Sequence, residues 1–324
     1  MDAREVWYGQ SIRDRLARTA LTPLSWLYAG GWQTYLALYR KGLKEAKEPH
    51  RPVLCVGNLV VGGSGKSPLT IHLAEVLRQI GRDAVVSASG YGSPRAESAQ
   101  VAPEGPLDPA EWGDEPAMIR WLLPDAPLIV GRNRVRAAEL CHEFFPRSVM
   151  LMDDGFQHLP LRKHVSIVLD DPLPSNGRCL PAGPYREPRR NRRRADLVLP
   201  GQHEIVEESW LEDPESGFRF DEPPRDFSVL CALGQPAKLL RSLPGDARVA
   251  LLLPDHDPLS EGTLFRSLPE ELPVVVTAKD WVKLRRRPDV RERRFLIARH
   301  TVRVEPADAF QRWLRVKLDE FEAS

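Results

Sequence analysis

Short apolar runs alternate with amphipathic segments from Pro52 onward, a pattern that is typical of α/β domains. The run 53–56 predicts a buried parallel strand, and a glycine-rich loop follows it at 57–67. The next segment keeps positions 69, 73, 76 and 80 apolar until Gly81, which predicts an amphipathic helix that ends there. Further buried strands are predicted at 149–152, 227–230, 249–253 and 274–277.

The first fifty residues differ from the rest, because they hold four of the six tyrosines and three of the eight tryptophans. No charge occurs between Arg18 and Arg40, but a proline, two glycines and several hydroxyls make this stretch a poor transmembrane helix. Four aromatic residues recur there at helical spacing: Tyr28, Trp32, Tyr35 and Tyr39. With the basic residues on either side, the stripe predicts an amphipathic helix at a membrane interface, and packing of the stripe on the following domain is the open alternative.

The glycine-rich loop carries the sequence Gly-Gly-Ser-Gly-Lys-Ser directly before the predicted helix, which is typical of a P-loop. Its glycines let backbone N–H groups point at phosphate oxygens, Lys66 adds a full positive charge, and the Ser67 hydroxyl is expected to ligate magnesium. Val60 stands where the strict pattern has glycine, and a glycine-rich turn without phosphate is the alternative. The predicted nucleotide contacts are Val60, Val61, Gly62, Gly63, Ser64, Gly65, Lys66 and Ser67.

Two adjacent carboxylates, Asp153 and Asp154, follow directly on the predicted strand 149–152. Parallel sheets place their ligands at the carboxyl ends of strands, so this pair predicts a Walker B element beside the P-loop. One carboxylate is expected to reach magnesium directly or through water, and the other to orient the metal or the nucleophile. Both are predicted to take part in catalysis, with Asp154 as a metal ligand, although an isolated acidic pair is more often a cap or a turn.

The charge balance excludes a dedicated nucleic-acid binder, since 46 Lys and Arg face 45 Asp and Glu. A basic run at 189–194 lacks interleaved aromatic residues, so we interpret it as a solvated helix face or a contact with anionic headgroups. Arg132, Arg134 and Arg136 follow a predicted strand, and one of them is expected to face the phosphates. The four cysteines are spread singly, which favours a reducing compartment over a disulfide or zinc framework.

Several segments carry a family resemblance: 57–58 (Gly-Asn), 62–68 (Gly-Gly-Ser-Gly-Lys-Ser-Pro), 113–116 (Gly-Asp-Glu-Pro), 153–158 (Asp-Asp-Gly-Phe-Gln-His), 180–188 (Leu-Pro-Ala-Gly-Pro-Tyr-Arg-Glu-Pro), 24–28 (Leu-Ser-Trp-Leu-Tyr) and 277–280 (Thr-Ala-Lys-Asp). In order and spacing they resemble the tetraacyldisaccharide 4′-kinases of lipid A biosynthesis, over nearly the whole chain. The resemblance implies transfer of the ATP γ-phosphate, with Mg²⁺, to the 4′-hydroxyl of a tetraacylated glucosamine disaccharide 1-phosphate. It also implies a peripheral or monotopic place on the cytoplasmic face of the inner membrane, with the acylated lipid as partner, no nucleic acid and no obligate protein partner.

The same resemblance implies roles for four residues. Asp114 is implied to be the base that accepts the hydroxyl proton, and His256 is implied to pair with it when the two domains close. Taken alone, Asp114 is also consistent with a helix N-cap, and a lone histidine is more often structural. Arg186 is implied to offset phosphate charge and Glu187 to complete the magnesium sphere. The chain departs from the family pattern at Ser89, Ala232 and Gln235.

These features together predict an α/β fold with two α/β/α sandwich domains, the first a P-loop NTPase-like parallel sheet. We expect a membrane-interface helical segment over 1–50, the P-loop kinase domain over 51–222, and a smaller α/β domain over 227–324 whose final helix docks on either domain. Two other classes stay open. A P-loop switch or metallochaperone would share the phosphate loop, although 277–280 lacks the asparagine with which GTPases read guanine. A membrane-attached nucleotide-binding protein without catalysis would need neither Asp114 nor His256.

Overall fold

The computed structural model describes residues 3–62, 65–220 and 222–322, which form two β-sheets with helices packed on their faces. The predicted α/β class is confirmed. The first sheet consists of β1 (Val53–Asn58), β2 (Ala84–Ala88), β3 (Gln100–Val101), β4 (Leu128–Val130), β5 (Val149–Met152), β6 (Val165–Leu169) and β7 (Leu197–Leu199). Its order is β3-β4-β2-β5-β1-β6-β7, and the strands are parallel except for β3, which is antiparallel to β4.

The second sheet has the order β10-β9-β11-β12-β8, and only β8 is antiparallel to its neighbour. It consists of β8 (Glu204–Glu212), β9 (Asp226–Cys231), β10 (Asp246–Leu252), β11 (Val274–Thr277) and β12 (Phe295–Glu305). The helices of the described residues are α1 (Ala3–Tyr8), α2 (Ile12–Arg40), α3 (Lys66–Gln79), α4 (Pro109–Trp112), α5 (Asp114–Leu122), α6 (Arg134–Phe144), α7 (Pro236–Ser242), α8 (Ala278–Leu284) and α9 (Ala307–Glu322), with 3₁₀ segments at Arg189–Arg194 and Pro288–Glu292.

β1 is buried along its whole length because both faces of the first sheet are covered. Leu54 and Val56 lie in an apolar cluster with α3, whereas Val53 and Cys55 lie in a second cluster on the other face. This double burial explains why the strand appears in the sequence as a continuous apolar run. Because β1 lies between β5 and β6 in a parallel arrangement, the residues that follow β1 and β5 emerge side by side at one edge of the sheet.

The second sheet begins earlier in the chain than the predicted boundary at residue 222. β8 lies before that boundary, yet it pairs with β12 along its full length, from Glu204 opposite Glu305 to Glu212 opposite Ile297. The apolar pattern did not indicate this strand, because several of its residues are charged and much of its surface faces solvent. The run 249–253, predicted to be buried, falls largely on β10, which is an exposed edge strand instead.

The second sheet is packed on the first through β12 and α9. Phe310, Leu314 and Leu318 lie on one face of α9 and are buried in the same apolar cluster as α3. The Val304 N–H of β12 donates to Nε2 of His72 on α3 over 3.2 Å. Burial lowers the pKa of His72 to about 4, so its imidazole is a neutral acceptor at neutral pH.

The N-terminal helix α2 presents different apolar residues to the protein and to the outside. The stripe Tyr28, Trp32, Tyr35 and Tyr39 is partly buried. Tyr28 Oη donates to the carbonyl of Arg186 over 2.7 Å, so packing on the following domain accounts for this part of the stripe. The exposed apolar residues of α2 are Ile12, Leu16, Leu24, Trp26 and Leu27. Among the described residues no helix combines the length and apolarity needed to cross a membrane.

Leu314→Ala should destabilise the protein by about 2–5 kcal/mol, because it leaves a cavity under α9 where the side chain is fully buried. Urea unfolding followed by circular dichroism measures this loss. Val316→Ala is the matched control, since Val316 lies on the exposed side of the same helix. Equal stability of the two variants would contradict the docking of α9 on the first sheet.

Candidate active site

In the described part of the loop between β1 and α3, two glycines have positive φ. Gly62 and Gly65 have φ of +108° and +80°, in the left-handed region that favours glycine. Gly65 caps α3 without a side-chain hydrogen bond of its own, and the N-terminus of a helix favours anions. The predicted contacts Gly63 and Ser64 lie outside the described residues.

Val60 and Val61, near the start of this loop, form the P-loop arm, which is held by the segment 180–188. Val60 pairs with Tyr185 in an antiparallel bridge, and the Val61 N–H donates to the carbonyl of Pro184 over 2.9 Å. In this arrangement the Val61 N–H serves to hold the loop, so its predicted contact with phosphate stays a prediction. The side chain of Val60, which stands where the strict motif has glycine, packs against the apolar cluster that contains Tyr185.

The first turn of α3 brings Lys66 and Ser67 to the carboxylates that follow β5. Lys66 Nζ lies 3.7 Å from Asp154 Oδ1, and Ser67 is partly buried beside it in sequence. One turn later, Thr70 Oγ1 donates to Asp153 Oδ1 over 2.8 Å. The sequence analysis missed Thr70, although its place four residues after Lys66 puts it on the same side of the helix.

Asp153 is buried in an acidic environment, below the cleft that lies between the P-loop and the Asp114 and His256 pair. Burial, together with the charges of Glu115 and Asp154, raises the pKa of its carboxyl to about 6. Its backbone carbonyl accepts from Arg134 Nη2 over 2.7 Å, and Arg134 Nη1 donates to Ser87 Oγ over 2.8 Å. Arg134 is therefore a buried support for the ends of β2 and β5.

The other two arginines of that segment take different places. Arg136 forms a surface ion pair with Glu139, whereas Arg132 lies with its guanidinium 5.8 Å from the ring centre of Tyr91. Tyr91 in turn contacts His256, at a distance of 5.7 Å between ring centres. Of the three arginines predicted as alternatives for a phosphate contact, Arg132 is the one beside the cleft.

Asp154 faces the cleft in a left-handed backbone conformation, with φ of +49°. Arg186 Nη1 donates to both of its oxygens over 2.9 Å, so Asp154 lies between the cations of Arg186 and Lys66. The predicted proximity of Arg186 to the P-loop and the acidic pair is therefore present in the structure.

Glu187 is fully buried, and both of its oxygens already accept hydrogen bonds. Arg194 Nη2 donates to both, over 2.6 and 2.7 Å, while Gln157 donates to one and Asn191 to the other. This geometry is that of a buried support and gives no direct argument for the predicted role in the magnesium sphere. That role stays a prediction.

The basic run 189–194 is not simply a solvated face. Arg189 and Arg192 form ion pairs with buried Asp170, and Arg194 pairs with Glu187. Buried carboxylates need such partners, because an isolated charge in the interior is strongly unfavourable. The interpretation as solvent-exposed or headgroup-binding charge therefore holds for Arg190 and Arg193 at most, which are exposed.

Asp114 and His256 are in contact, although they come from different parts of the chain. Asp114 begins α5 directly after Gly113, whose φ is +90°, and His256 follows β10 with a φ of +65°. His256 Nδ1 lies 3.1 Å from Asp114 Oδ2. The two side chains are thus in contact in this structure, and the predicted domain closure stays a prediction.

A lysine that the sequence analysis missed completes this group. Lys283 Nζ lies 2.9 Å from Asp114 Oδ2 and donates to the carbonyl of Asp257 over 2.8 Å. One turn earlier on α8, Lys279 Nζ donates to Asp255 Oδ1 over 3.0 Å and lies 3.4 Å from His256 Nε2. Lys279 and Lys283 are four residues apart on the helix that Thr277 caps, and this spacing is the signal that could have identified them as a pair.

Two further acidic residues near this site are Asp280 and Glu115. Asp280 is buried, and its oxygens accept from Thr277 Oγ1 and from the Ala232 N–H, so its carboxylate has a structural role and is not presented to a guanine base. The pKa of Glu115 responds to the charges of Lys279, Asp154, Lys66 and Asp114 and to burial of its own carboxyl. Burial is the largest of these influences and raises the pKa of Glu115.

Asp153→Asn should stabilise the fold at neutral pH. The carboxyl ionises at 3.8 in an ordinary environment and at about 6 in the fold, so the fold holds the proton more tightly and loses this stabilisation as the pH rises through 6. The uncharged amide has no such pH dependence, so its advantage in stability over the wild type should grow between about pH 4 and about pH 6, level off near pH 7, and reach the order of 1–3 kcal/mol. Urea unfolding at several pH values measures this difference, with the exposed Asp125→Asn as control. An advantage that does not change with pH would contradict the shifted ionisation.

Comparison with known proteins relates this chain to one family of kinases. The sequence pattern of the family described as tetraacyldisaccharide-1-P 4′-kinase, LpxK, matches residues 17–319. The tetraacyldisaccharide 4′-kinase of Shewanella baltica (strain OS155) is 34% identical over 299 residues, covering 87% of this chain and 86% of that one. That of Coxiella burnetii (strain Dugway 5J108-111) is 32% identical over 274 residues, covering 84% and 83%.

A solved structure supports the same relationship. The crystal structure of LpxK from Aquifex aeolicus in complex with ATP superposes with a TM-score of 0.79 at 26% sequence identity, covering 93% of this chain and 99% of that one. Together with the matched pattern and the relatives, it shows that this chain belongs to the tetraacyldisaccharide-1-P 4′-kinase family.

Proposed function

We propose that this protein transfers the γ-phosphoryl group of ATP to the 4′-hydroxyl of a tetraacylated glucosamine disaccharide 1-phosphate. The observation that carries the proposal is the Asp114 and His256 contact, which lies beside a P-loop and a Walker B pair in a member of this kinase family. A protein that only binds nucleotide, or a P-loop switch, has no use for a hydroxyl-activating pair at this place.

The P-loop residues would hold the nucleotide through its phosphates. The N–H groups at the start of α3 favour anions, and Lys66 adds a positive charge that Asp154 now balances. Arg186 is placed to offset phosphate charge from the other side of Asp154. These contacts leave the γ-phosphate directed towards the Asp114 side of the cleft in our proposal.

The oxygen donors Ser67 and Asp154 fit a magnesium ion that is bound together with a nucleotide better than a metal ion held by protein ligands alone. Among the described residues no group of three or more His, Cys, Asp or Glu side chains is arranged to bind a metal. Ser67 and Asp154 offer a hydroxyl and a carboxylate, and Mg²⁺ commonly takes one or two protein oxygens together with substrate phosphates and water. When bound, the ion would neutralise charge on the β- and γ-phosphates.

Asp114 would act as the base for the sugar hydroxyl. Its Oδ2 is occupied by His256 and Lys283, which leaves Oδ1 as the oxygen to accept the proton. As the 4′-oxygen forms its bond to the γ-phosphorus, the bond from that phosphorus to the β,γ-bridging oxygen breaks and the hydroxyl proton passes to Oδ1. ADP and the phosphorylated lipid are the products. His256 and Lys283 keep the carboxylate oriented throughout.

The kinase proposal is tested with γ-labelled ATP and the acylated disaccharide in detergent micelles. The wild type should yield labelled lipid, and Lys66→Ala and Asp114→Asn should each lower kcat by about 100-fold or more, because charge neutralisation and proton acceptance are lost. Lys238→Ala is the control, since this lysine forms only an exposed ion pair with Glu207. Folded wild-type protein that binds ATP but labels no lipid would overturn the proposal.

We further propose that the protein works on the cytoplasmic face of the inner membrane, held there by the outer side of α2. The acylated substrate resides in a membrane, and the exposed residues of α2 form an apolar face flanked by the exposed cations Arg13 and Arg15. Trp26 and Leu27 are 71% and 73% exposed, and a group of exposed large apolar side chains on one helix is typical of a membrane or partner contact.

The double variant Trp26→Ser/Leu27→Ser should bind vesicles of phosphatidylethanolamine and phosphatidylglycerol about tenfold or more weakly, because two apolar side chains no longer enter the lipid. Vesicle flotation measures the partition coefficient. Phe144→Ser/Val316→Ser is the matched control, because it removes one exposed aromatic and one exposed aliphatic residue elsewhere. Equal partition of the two double variants would contradict the role of α2.

A further inference from the structure

The short helix α1 precedes the part of the chain that the family pattern matches, which begins at residue 17. It is nevertheless anchored to the site. Trp7 is buried, and its Nε1 donates to the carbonyl of Pro181 over 2.8 Å, in the segment that also fixes the P-loop arm. Asn176 Nδ2 donates to the carbonyl of Trp7 over 3.1 Å, and Arg18 Nε donates to that of Val6 over 2.8 Å. These bonds set the position of α1 relative to the cleft.

α1 directs the side chain of Arg4 to the place where the two sheets face each other. A Cβ atom at Gly62 of the P-loop would lie 3.5 Å from Arg4 Nη2, and one at Gly234, in the loop after β9, would lie 2.6 Å from the same nitrogen. The guanidinium therefore lies against both glycines. Glycine at 234 permits this approach, because any side chain there would have to displace Arg4.

Arg4 lies near residues of the P-loop and near residues next to the Asp114 and His256 pair. Asp255, next to His256, would lie 2.8 Å from the same Cβ at Gly234. Asp255 is itself paired with Lys279, one turn before the lysine that contacts Asp114. Gln235 lies close to Gly62 as well, at 3.6 Å from its would-be Cβ. Arg4 thus lies where a phosphate on the P-loop and a sugar at the Asp114 pair would come together.

We propose that Arg4 binds a phosphate oxygen in this cleft and so contributes to the kinase reaction, an inference that rests on the proposed function. A guanidinium stays charged at every physiological pH, and its planar fork matches two phosphate oxygens. The proposed reaction offers Arg4 two sources of phosphate, the nucleotide and the 1-phosphate of the lipid. The phosphoryl group that is transferred is part of the nucleotide until its bond breaks.

The test compares Arg4→Gln and Arg4→Lys with Arg147→Gln, an exposed arginine far along the chain. For each full-length variant we would measure kcat, the KM for ATP, the KM for the lipid, the affinity for a fluorescent ATP analogue, and the melting temperature. Loss of a charge-assisted bond should lower kcat/KM of Arg4→Gln by about 10- to 100-fold at an unchanged melting temperature. Arg4→Lys should recover part of it, because the charge remains while the fork is lost. Arg147→Gln should match the wild type.

The constants separate the two sources of phosphate. Weaker binding of the ATP analogue with a higher KM for ATP identifies the nucleotide, a higher KM for the lipid alone identifies the 1-phosphate, and a loss confined to kcat identifies the phosphoryl group during transfer. Kinetic constants equal to those of the wild type would overturn the proposal. So would a loss that follows a lower melting temperature and is not relieved by lysine, since that is a structural role. If the wild type itself labels no lipid, the proposed function fails, while analogue binding still tests Arg4 separately.

Discussion

The parallel pairing of β1 with β5 determines where the chemistry of this protein can lie. Val53 is opposite Met150 and Cys55 opposite Met152, so the P-loop and the carboxylates Asp153 and Asp154 leave the sheet at the same edge. A shift of one residue would turn the side chains of β1 to the wrong faces, and both faces are filled with apolar side chains. The core therefore fixes the register, and the register fixes the distance between phosphate loop and acids.

Carboxylates near this edge are held by cations from other elements. Arg134 of α6 binds the backbone of Asp153, Arg186 pairs with Asp154, and Arg194 pairs with buried Glu187. These charges are paired with one another when the chain folds, so under the proposed function the pairs of Asp154 with Lys66 and Arg186 would be exchanged for contacts with phosphate and metal. The buried, acidic neighbourhood of Asp153 raises the pKa of that carboxyl, so the ionised form of Asp153 destabilises the fold. Such a conflict between stability and function is common at active sites.

The features predicted correctly from the sequence are those set by local pattern. The strand, loop and helix around Lys66 and the acids after β5 follow from apolar runs and glycine spacing, which one segment of chain determines alone. The position of β8 could not be found this way, because its partner β12 lies far along the chain and its own residues are largely polar. Which side of α2 faces the protein depended likewise on distant contacts, such as that of Tyr28 with Arg186.

The site residues divide in the same manner. Asp114 and His256 were identified through motifs that the chain shares with a family, while Lys283 and the proposed Arg4 stand in no such motif and gain their place only from packing. Lys283 lies on α8 and reaches Asp114 because α8 packs on α5. A lysine on a helix is otherwise most often a solvated residue, so its sequence context carries little information.

The contact of Asp114 with His256 joins the two sheets, and its presence changes how domain movement should be understood. The packing of α5 on α8 and of α9 on the first sheet already holds the pair at 3.1 Å. Under the proposed function, an assembled pair would save the reaction the entropy of bringing two groups together, because folding has fixed them beforehand. Any movement of the second sheet would then serve entry of the substrate and release of the product, and not assembly of the base. Under the same proposal, residues of α8 and α9 would act on catalysis through the geometry of this one contact.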